Sequence, residues 1–304
     1  QDGPPILSSW RFSDGAKVDS FFFPFDEWGE PKEIALSQDG KKMAVLAESM
    51  LLVWDVDTRK WDKIFNEKEF GLGPIAFYEK NKIAICQTDE IEFWDIQQKK
   101  RIGKSSISAY HLKKHEVVGT DLSDANMVDF NFTDLVCSPD GRWLAGAYGK
   151  IICLLRSDGT QLPKPVHIFE GHDNTVLQIG FSADNRWLIS CSDDNTVRIW
   201  DVEKQTEVAR IIYLNLNDWA VVSPSGLFDA SPGAMKMMYF LLGEEIIELD
   251  QLKDRYYEPG LLPKLLGFTS GGLRPVDELN NVPLYPEILE ASIKNDTLRI
   301  RLKP

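Results

Sequence analysis

His111 and His115, in HLKKHE, stand four residues apart, a spacing at which one helix face could present two imidazoles to a metal ion. The chain holds only four histidines, two lysines intervene and no third ligand is evident, so a solvated loop is expected there and no metal. The cysteines Cys86, Cys137, Cys153 and Cys191 each sit in an apolar stretch (IAICQ, LVCSP, IICLL, ISCSD). None forms the CxxC pair of a zinc or thiol-exchange site, so they read as small buried hydrophobes in strands. GLGPIA, from Gly71 to Ala76, approaches a dinucleotide fingerprint but precedes a strand and opens no helix, and no GxxxxGK[ST] occurs. No cofactor is therefore expected. Glu244, Glu245 and Glu248 could do acid–base work, although surface charge is the simpler reading. The run Lys99 to Arg101 is too short for a nucleic-acid patch.

Composition narrows the classes further. The 304 residues carry 34 Lys and Arg against 47 Asp and Glu, a formal net charge of −13. That balance disfavours nucleic acid, whose binding rests on cations that neutralise phosphates. Apolar residues at 43 % and charged residues at 27 % are ordinary for a globular chain, which sets disorder and coiled coil aside. The longest apolar runs, such as Met237 to Leu242, fall far short of the roughly 18–20 residues a membrane span needs.

What must position any site is a repeat. The clearest unit is GHDNTVLQIGFSADNRWLISCSDDNTVRIWD, Gly171 to Asp201. It reads as three strands, Val176 to Phe181, Trp187 to Ser192 and Thr196 to Asp201, separated by turns rich in Asp and Asn, which bond nearby backbone and tolerate left-handed conformations. A fourth strand follows at Glu207 to Ile212. Ile34 to Asp55, Pro74 to Asp95 and Leu135 to Arg156 repeat the pattern with losses; Trp219 to Ser231 with Glu244 to Asp250 is a more altered copy. Ile6 to Phe23 reads as the last two strands of a further unit, which C-terminal strands would complete. Anchors at 10, 54, 94, 155, 200 and 249 give intervals of 44, 40, 61, 45 and 49 residues. Four of these match or slightly exceed a four-stranded blade of about 40–45 residues. The long interval holds Ser106 to Phe130, an insertion or a decayed blade.

Opened by GH and closed by WD, the Gly171 unit resembles the WD-repeat β-propeller family, and the weaker units extend the resemblance over roughly Ile6 to Asp250. The expected fold is all-β, with about six, or seven, four-stranded blades and a short, partly helical C-terminal extension. The resemblance implies a buried structural network of His172, Ser190, Asp194 and Trp200, in which indole, hydroxyl and imidazole find partners in one another. A catalytic reading of His172 with Asp194 is the weaker alternative, since the same pair is expected structurally.

Beyond Asn215 the text changes. Trp219, Pro224, Gly226, Phe228, Asp229 and Ser231, followed by Asp254, Tyr257, Pro259, Leu261 and Leu262, resemble the end of the propeller region in prokaryotic proteins that join WD repeats to a caspase-like protease domain. No QACxG-like sequence surrounds any cysteine, so the protease dyad is not expected in this chain. Pro259 and Pro263 should each end or restart a turn. The expected division is a propeller over residues 1–253 and an extension over 254–304 that leads into a further domain. Gln1 stands where Met would begin a chain, so a processed or excised form is expected, with a cytoplasmic location or, alternatively, a removed signal peptide.

The expected function is a non-catalytic protein-interaction scaffold, a sensor or regulatory module of a caspase-like protease system, with that domain a partner in cis or trans. Thr175 and Asp193, polar positions on loops beside the specific blade, are the candidate partner-binding residues. A structural spacer is one alternative; an enzyme in a central channel is another and would need convergent acids, histidines or a metal.

Overall fold

The computed structural model describes residues 6–10, 13–23, 29–47, 50–66, 73–107, 131–159, 161–242, 245–276, 288–294 and 297–302. His111, His115, Gly71, Leu72, Glu244 and nearly all of Ser106 to Phe130 lie outside them. The chain is nearly all-β, built on four-stranded antiparallel sheets, and divides into two compact units, residues 1–207 and 208–304.

In the first unit, a hairpin of β1 (Ile6–Trp10) and β2 (Lys17–Phe22) precedes a series of meanders. The first is β3 (Pro31–Leu36), β4 (Lys42–Ala47), β5 (Met50–Asp55) and β6 (Lys60–Asn66). The second is β7 (Ile75–Glu79), β8 (Lys82–Cys86), β9 (Glu90–Asp95) and β10 (Lys100–Ser106). The third is β11 (Phe132–Cys137), β12 (Trp143–Tyr148), β13 (Ile151–Arg156) and β14 (Lys164–Phe169). The fourth is β15 (Val176–Phe181), β16 (Trp187–Ser192), β17 (Thr196–Asp201) and β18 (Thr206–Tyr213), whose last residues belong to the second unit. Trp54, Trp94, Leu155 and Trp200 all stand on third strands, as the anchor spacing requires.

Turn chemistry fixes these registers. Between the first two strands of three blades, Ser37, Ser138 and Ser182 donate from Oγ to Asp39, Asp140 and Asp184 and accept the amides of Lys42, Trp143 and Trp187. The Asp of each WD pair closes the next turn: Asp55, Asp95 and Asp201 accept the amides of Thr58, Gln98 and Lys204 at 2.8–2.9 Å. The core lies between blades. Ile64, Phe65, Phe77 and Trp94 pack together between the first and second; Tyr78, Phe93, Leu135 and Leu144 between the second and third; Trp143, Leu154, Leu188 and Trp200 between the third and fourth.

The second unit departs from the expected copy. β18 pairs with β19 (Trp219–Val222), and β19 with β20 (Phe228–Ala230). A one-turn helix α1 (Ala234–Met237) follows, then a separate hairpin of β21 (Tyr239–Leu242) and β22 (Glu245–Glu248). The expected anchor at 249 is not on a strand: Leu249 opens the helix α2 (Leu249–Tyr256). Leu249, Leu252 and Tyr256 recur at helical spacing, and their burial stabilises that period over alternation. The expected boundary after residue 253 falls inside this helix, whereas the compact units divide after 207. Pro259 separates α2 from α3 (Leu261–Leu265), and Pro263 sits in the first turn of α3, where its missing N–H has no intrahelical acceptor to lose. β23 (Ile288–Lys294) and β24 (Thr297–Leu302) form a final hairpin.

The two segments that resemble caspase-linked propellers meet within this unit. The Gly260 amide donates to Asp229 Oδ2 at 2.8 Å, the Glu258 amide donates to the Phe228 carbonyl at 2.8 Å, and the rings of Phe228 and Tyr257 lie 5.8 Å apart. Ser231 donates to Asp218 at 2.8 Å and accepts the amide of Ala234.

Candidate functional site

His172 follows Gly171 in the loop before β15, and its ring lies beneath the second and third strands of the fourth blade. Nδ1 is 2.8 Å from Asp194 Oδ2 and Nε2 is 2.8 Å from Ser190 Oγ, while Trp200 Nε1 donates to the same Oγ at 2.9 Å. Thr196 adds its amide and hydroxyl to Asp194 Oδ1 at 2.9 and 2.6 Å. One tautomer satisfies every group: Trp200 N–H donates to Ser190, Ser190 O–H to His172 Nε2, and His172 Nδ1–H to Asp194. The four side chains His172, Ser190, Asp194 and Trp200 thus converge in one chain of hydrogen bonds.

The order Ser–His–Asp has the connectivity of a hydrolase triad. Its setting does not. Ser190 is 0 % exposed and its hydroxyl oxygen is already held by an indole, so no substrate carbonyl can reach it. The pair of His172 with Asp194 is therefore a packing element of the blade.

Burial lowers the pKa of His172 and is opposed by the hydrogen bond it donates to Asp194. Burial pushes Asp194 upward, yet the bonds from Thr196, His172 and the Asp173 amide outweigh it and hold the carboxyl well below its usual range. Both groups then bind protons more weakly folded than unfolded, so the stability each contributes is present above its unfolded pKa and is lost as pH falls. Urea unfolding at a series of pH values should show the free energy of unfolding dropping once below about pH 6.5, through His172, and again below about pH 4, through Asp194. In His172→Asn the first drop should flatten, whatever the variant's stability at pH 7.

A second buried polar element escaped the sequence reading. Arg198, 1 % exposed, donates Nη1 to Glu207 Oε2 at 2.5 Å and Nη2 to the Gly171 carbonyl. This explains the glycine of the GH pair. Gly171 has φ +147°, and a Cβ there would lie 2.5 Å from Arg198 Nη1. The second blade holds the same pair with its signs exchanged: Arg101 Nη1 donates to Glu92 Oε1 at 2.6 Å, again nine residues apart. Glu92 also accepts the Trp94 indole at 3.0 Å, replacing the absent Ser and His.

Of the residues proposed to meet a partner, Asp193 is exposed and Thr175 half-buried, and the Asp193 amide donates to the Thr175 carbonyl at 3.0 Å. Both belong to the rim at which inner strands begin. Lys99 and Arg101 are engaged by Asp62 and Glu92. The cysteines stand on β8, β11, β13 and β16; Cys86 and Cys153 are buried, whereas Cys137 and Cys191 are only half-buried, because their strand ends lie near loops. Burial pushes the Cys137 and Cys153 thiols up to about 12, so they are inert as nucleophiles. Glu245 and Glu248 bound strand β22.

Inner strands β3, β7 and β11 border an open cavity of about 320 Å³ lined in part by Glu33 and Asp134. Burial and then the charge of Asp134 raise the pKa of Glu33; burial raises that of Asp134 against the amides of Ile179 and Leu135. These two acids were missed because each sits alone in its own repeat. Among the described residues no three His, Cys, Asp or Glu side chains converge as metal ligands, and no helix is long and apolar enough to cross a membrane.

A family profile described as "WD domain, G-beta repeat" matches residues 163–201. The target of rapamycin complex subunit LST8-1 of Arabidopsis thaliana is 36 % identical over 74 residues, 24 % of this chain and 24 % of that protein. A DDB1- and CUL4-associated factor 11 homolog of Caenorhabditis elegans is 25 % identical over 139 residues, 45 % of this chain and 22 % of that protein. An uncharacterized WD repeat-containing protein of Synechocystis is 35 % identical over 99 residues, covering 32 % of this chain and 26 % of that protein. The chain thus spans about a quarter of the length of the curated relatives it matches. Among solved structures, the C-terminal WD40 domain of Sif2 aligns over 83 % of this chain and 63 % of that one, with a TM-score of 0.47 and 16 % identity.

Proposed function

We propose that this chain is a non-catalytic scaffold on which protein partners assemble. The observation that carries this reading is the burial of its most reactive-looking constellation: Ser190, His172 and Asp194 are used up in holding a blade together, which leaves loops as the surfaces available for contact. The relatives support it by name, one a subunit of a complex and another an associated factor. The partner-facing residues in this proposal are Thr175 and Asp193. A finer proposal makes the chain a regulatory module of a caspase-like protease system, with the protease domain in cis or trans. Its support is the resemblance of Trp219 to Ser231 and Asp254 to Leu262, two segments that pack against one another.

The test is affinity isolation of the full chain from its source, with partners quantified by mass spectrometry. A stoichiometric partner should be recovered, and Thr175→Ala/Asp193→Arg should reduce its yield about tenfold with the thermal midpoint unchanged, as loss of a rim contact of about 1.4 kcal/mol would do. Recovery of no stoichiometric partner would sink the scaffold reading. A partner retained by the double variant would move the contact away from this rim. A caspase-like protein among the partners, or encoded in the same reading frame, would support the finer proposal.

A further inference from the structure

We propose that a polar cleft between the second and third blades, on the rim opposite Thr175 and Asp193, receives a lysine or arginine side chain of a protein partner. Inner strands begin at the rim of Thr175; the cleft lies where they end, at the β7–β8 and β11–β12 turns and the loop after β13, with Gln38 of the β3–β4 turn also on its lining. Its volume is about 600 Å³, and Tyr78, Glu79, Gly141, Arg156 and Gly159 are among the residues that line it.

Two polar atoms at this cleft lack partners. Tyr78 is 1 % exposed and its hydroxyl is buried without a hydrogen bond; Glu79 Oε1 is likewise buried and unpartnered, although its other oxygen meets Lys82 at 2.7 Å. A buried polar group left unpaired is costly, and a fold does not retain one without cause. Tyr78 is also the extra residue of a β-bulge: the register of β7 against β8 slips between Phe77 and Glu79. Bulges re-aim side chains and recur beside binding sites.

The chemistry of the two orphans selects the ligand. A carboxylate oxygen only accepts, and a phenol oxygen can accept, so an N–H group can bond both oxygens, whereas a phosphate or carboxylate would be repelled by Glu79. The Coulomb field of a chain with net charge −13 favours a cation. Of the cations on its lining, Arg142 is held by Asp140 at 2.5 Å and Arg156 stacks 5.3 Å from the Trp143 ring, while Lys80 is exposed.

The inference rests on the scaffold reading only for the source of the side chain, and its test needs no partner. Backbone amide resonances of the full chain should be followed by NMR during titration with N-acetyl-arginine N-methylamide, the lysine analogue and the glutamate analogue. The arginine and lysine probes should shift amides at Tyr78 to Lys80, Gly141 and Gly159, and the glutamate probe should not. Glu79→Gln should weaken the arginine probe about tenfold, by loss of a charged acceptor, and Tyr78→Phe should weaken it less. Each variant provides a readout should the other fail to fold. No shift from either cation, equal shifts from glutamate, or undiminished binding in both variants would overturn the proposal. None of those results would touch the affinity isolation that tests the scaffold itself.

Discussion

Trp200→Ala is expected to lower the free energy of unfolding by about 3–5 kcal/mol, the range for truncating a fully buried aromatic. The indole is 2 % exposed, packs 5.1 Å from the Phe169 ring and belongs to the core between the third and fourth blades. Its removal would leave a void lined by both blades and strip Ser190 of its donor. Trp200→Phe separates the two losses. It retains most of the apolar area but leaves the hydroxyl oxygen of Ser190 without the N–H it accepts, for about 1–3 kcal/mol. Urea unfolding followed by tryptophan fluorescence and by circular dichroism measures both. A midpoint unchanged in Trp200→Ala would mean that the hydrogen-bonded chain contributes nothing to the blade.

Arg198→Glu should be nearly as damaging. Breaking a buried ion pair by removing one partner costs about 3–5 kcal/mol, and this substitution also sets two carboxylates face to face. The informative result is the double variant Arg198→Glu/Glu207→Arg, since Glu92 and Arg101 hold the same arrangement with the signs exchanged in the second blade. It should recover about half of the loss. Full recovery is not expected, because Arg198 also donates to the Gly171 carbonyl, which a carboxylate at 198 cannot do. A double variant no more stable than Arg198→Glu would show that position, and not pairing, sets the preference. In the first and third blades the same two positions hold Leu52 with Trp61 and Cys153 with Pro165.

The first three strands of the fourth blade were legible to the residue, because Val176–Phe181, Trp187–Ser192 and Thr196–Asp201 are bounded by Asp and Asn turns whose side chains bond the backbone where the sequence implies; the fourth runs one residue further at each end than Glu207 to Ile212. The second unit was not. Glu245–Glu248 and Leu249–Tyr256 form one continuous apolar–acidic stretch, and only tertiary burial of Leu249, Leu252 and Tyr256 decides where strand yields to helix. The Arg198–Glu207 pair was equally hidden. A charged residue on a strand reads as outward-facing, and nothing local shows that Gly171 leaves room beneath it for a guanidinium. Glu33 and Asp134, or Tyr78 and Gly141, become neighbours only when separate repeats are stacked, a relation no single repeat encodes.

The meander order of the sheets carries a kinetic consequence. In each of the first three blades every ladder joins strands adjacent in sequence, so a blade can assemble from hairpin closures alone without waiting for a distant segment. Loop-closure entropy is then small at each step, and the slow events are left to the stacking of finished blades. During synthesis the blades can therefore form one after another as they leave the ribosome. The fourth, with its linked side chains and self-closing turns, is suited to act as the seed against which the more weakly specified ones consolidate.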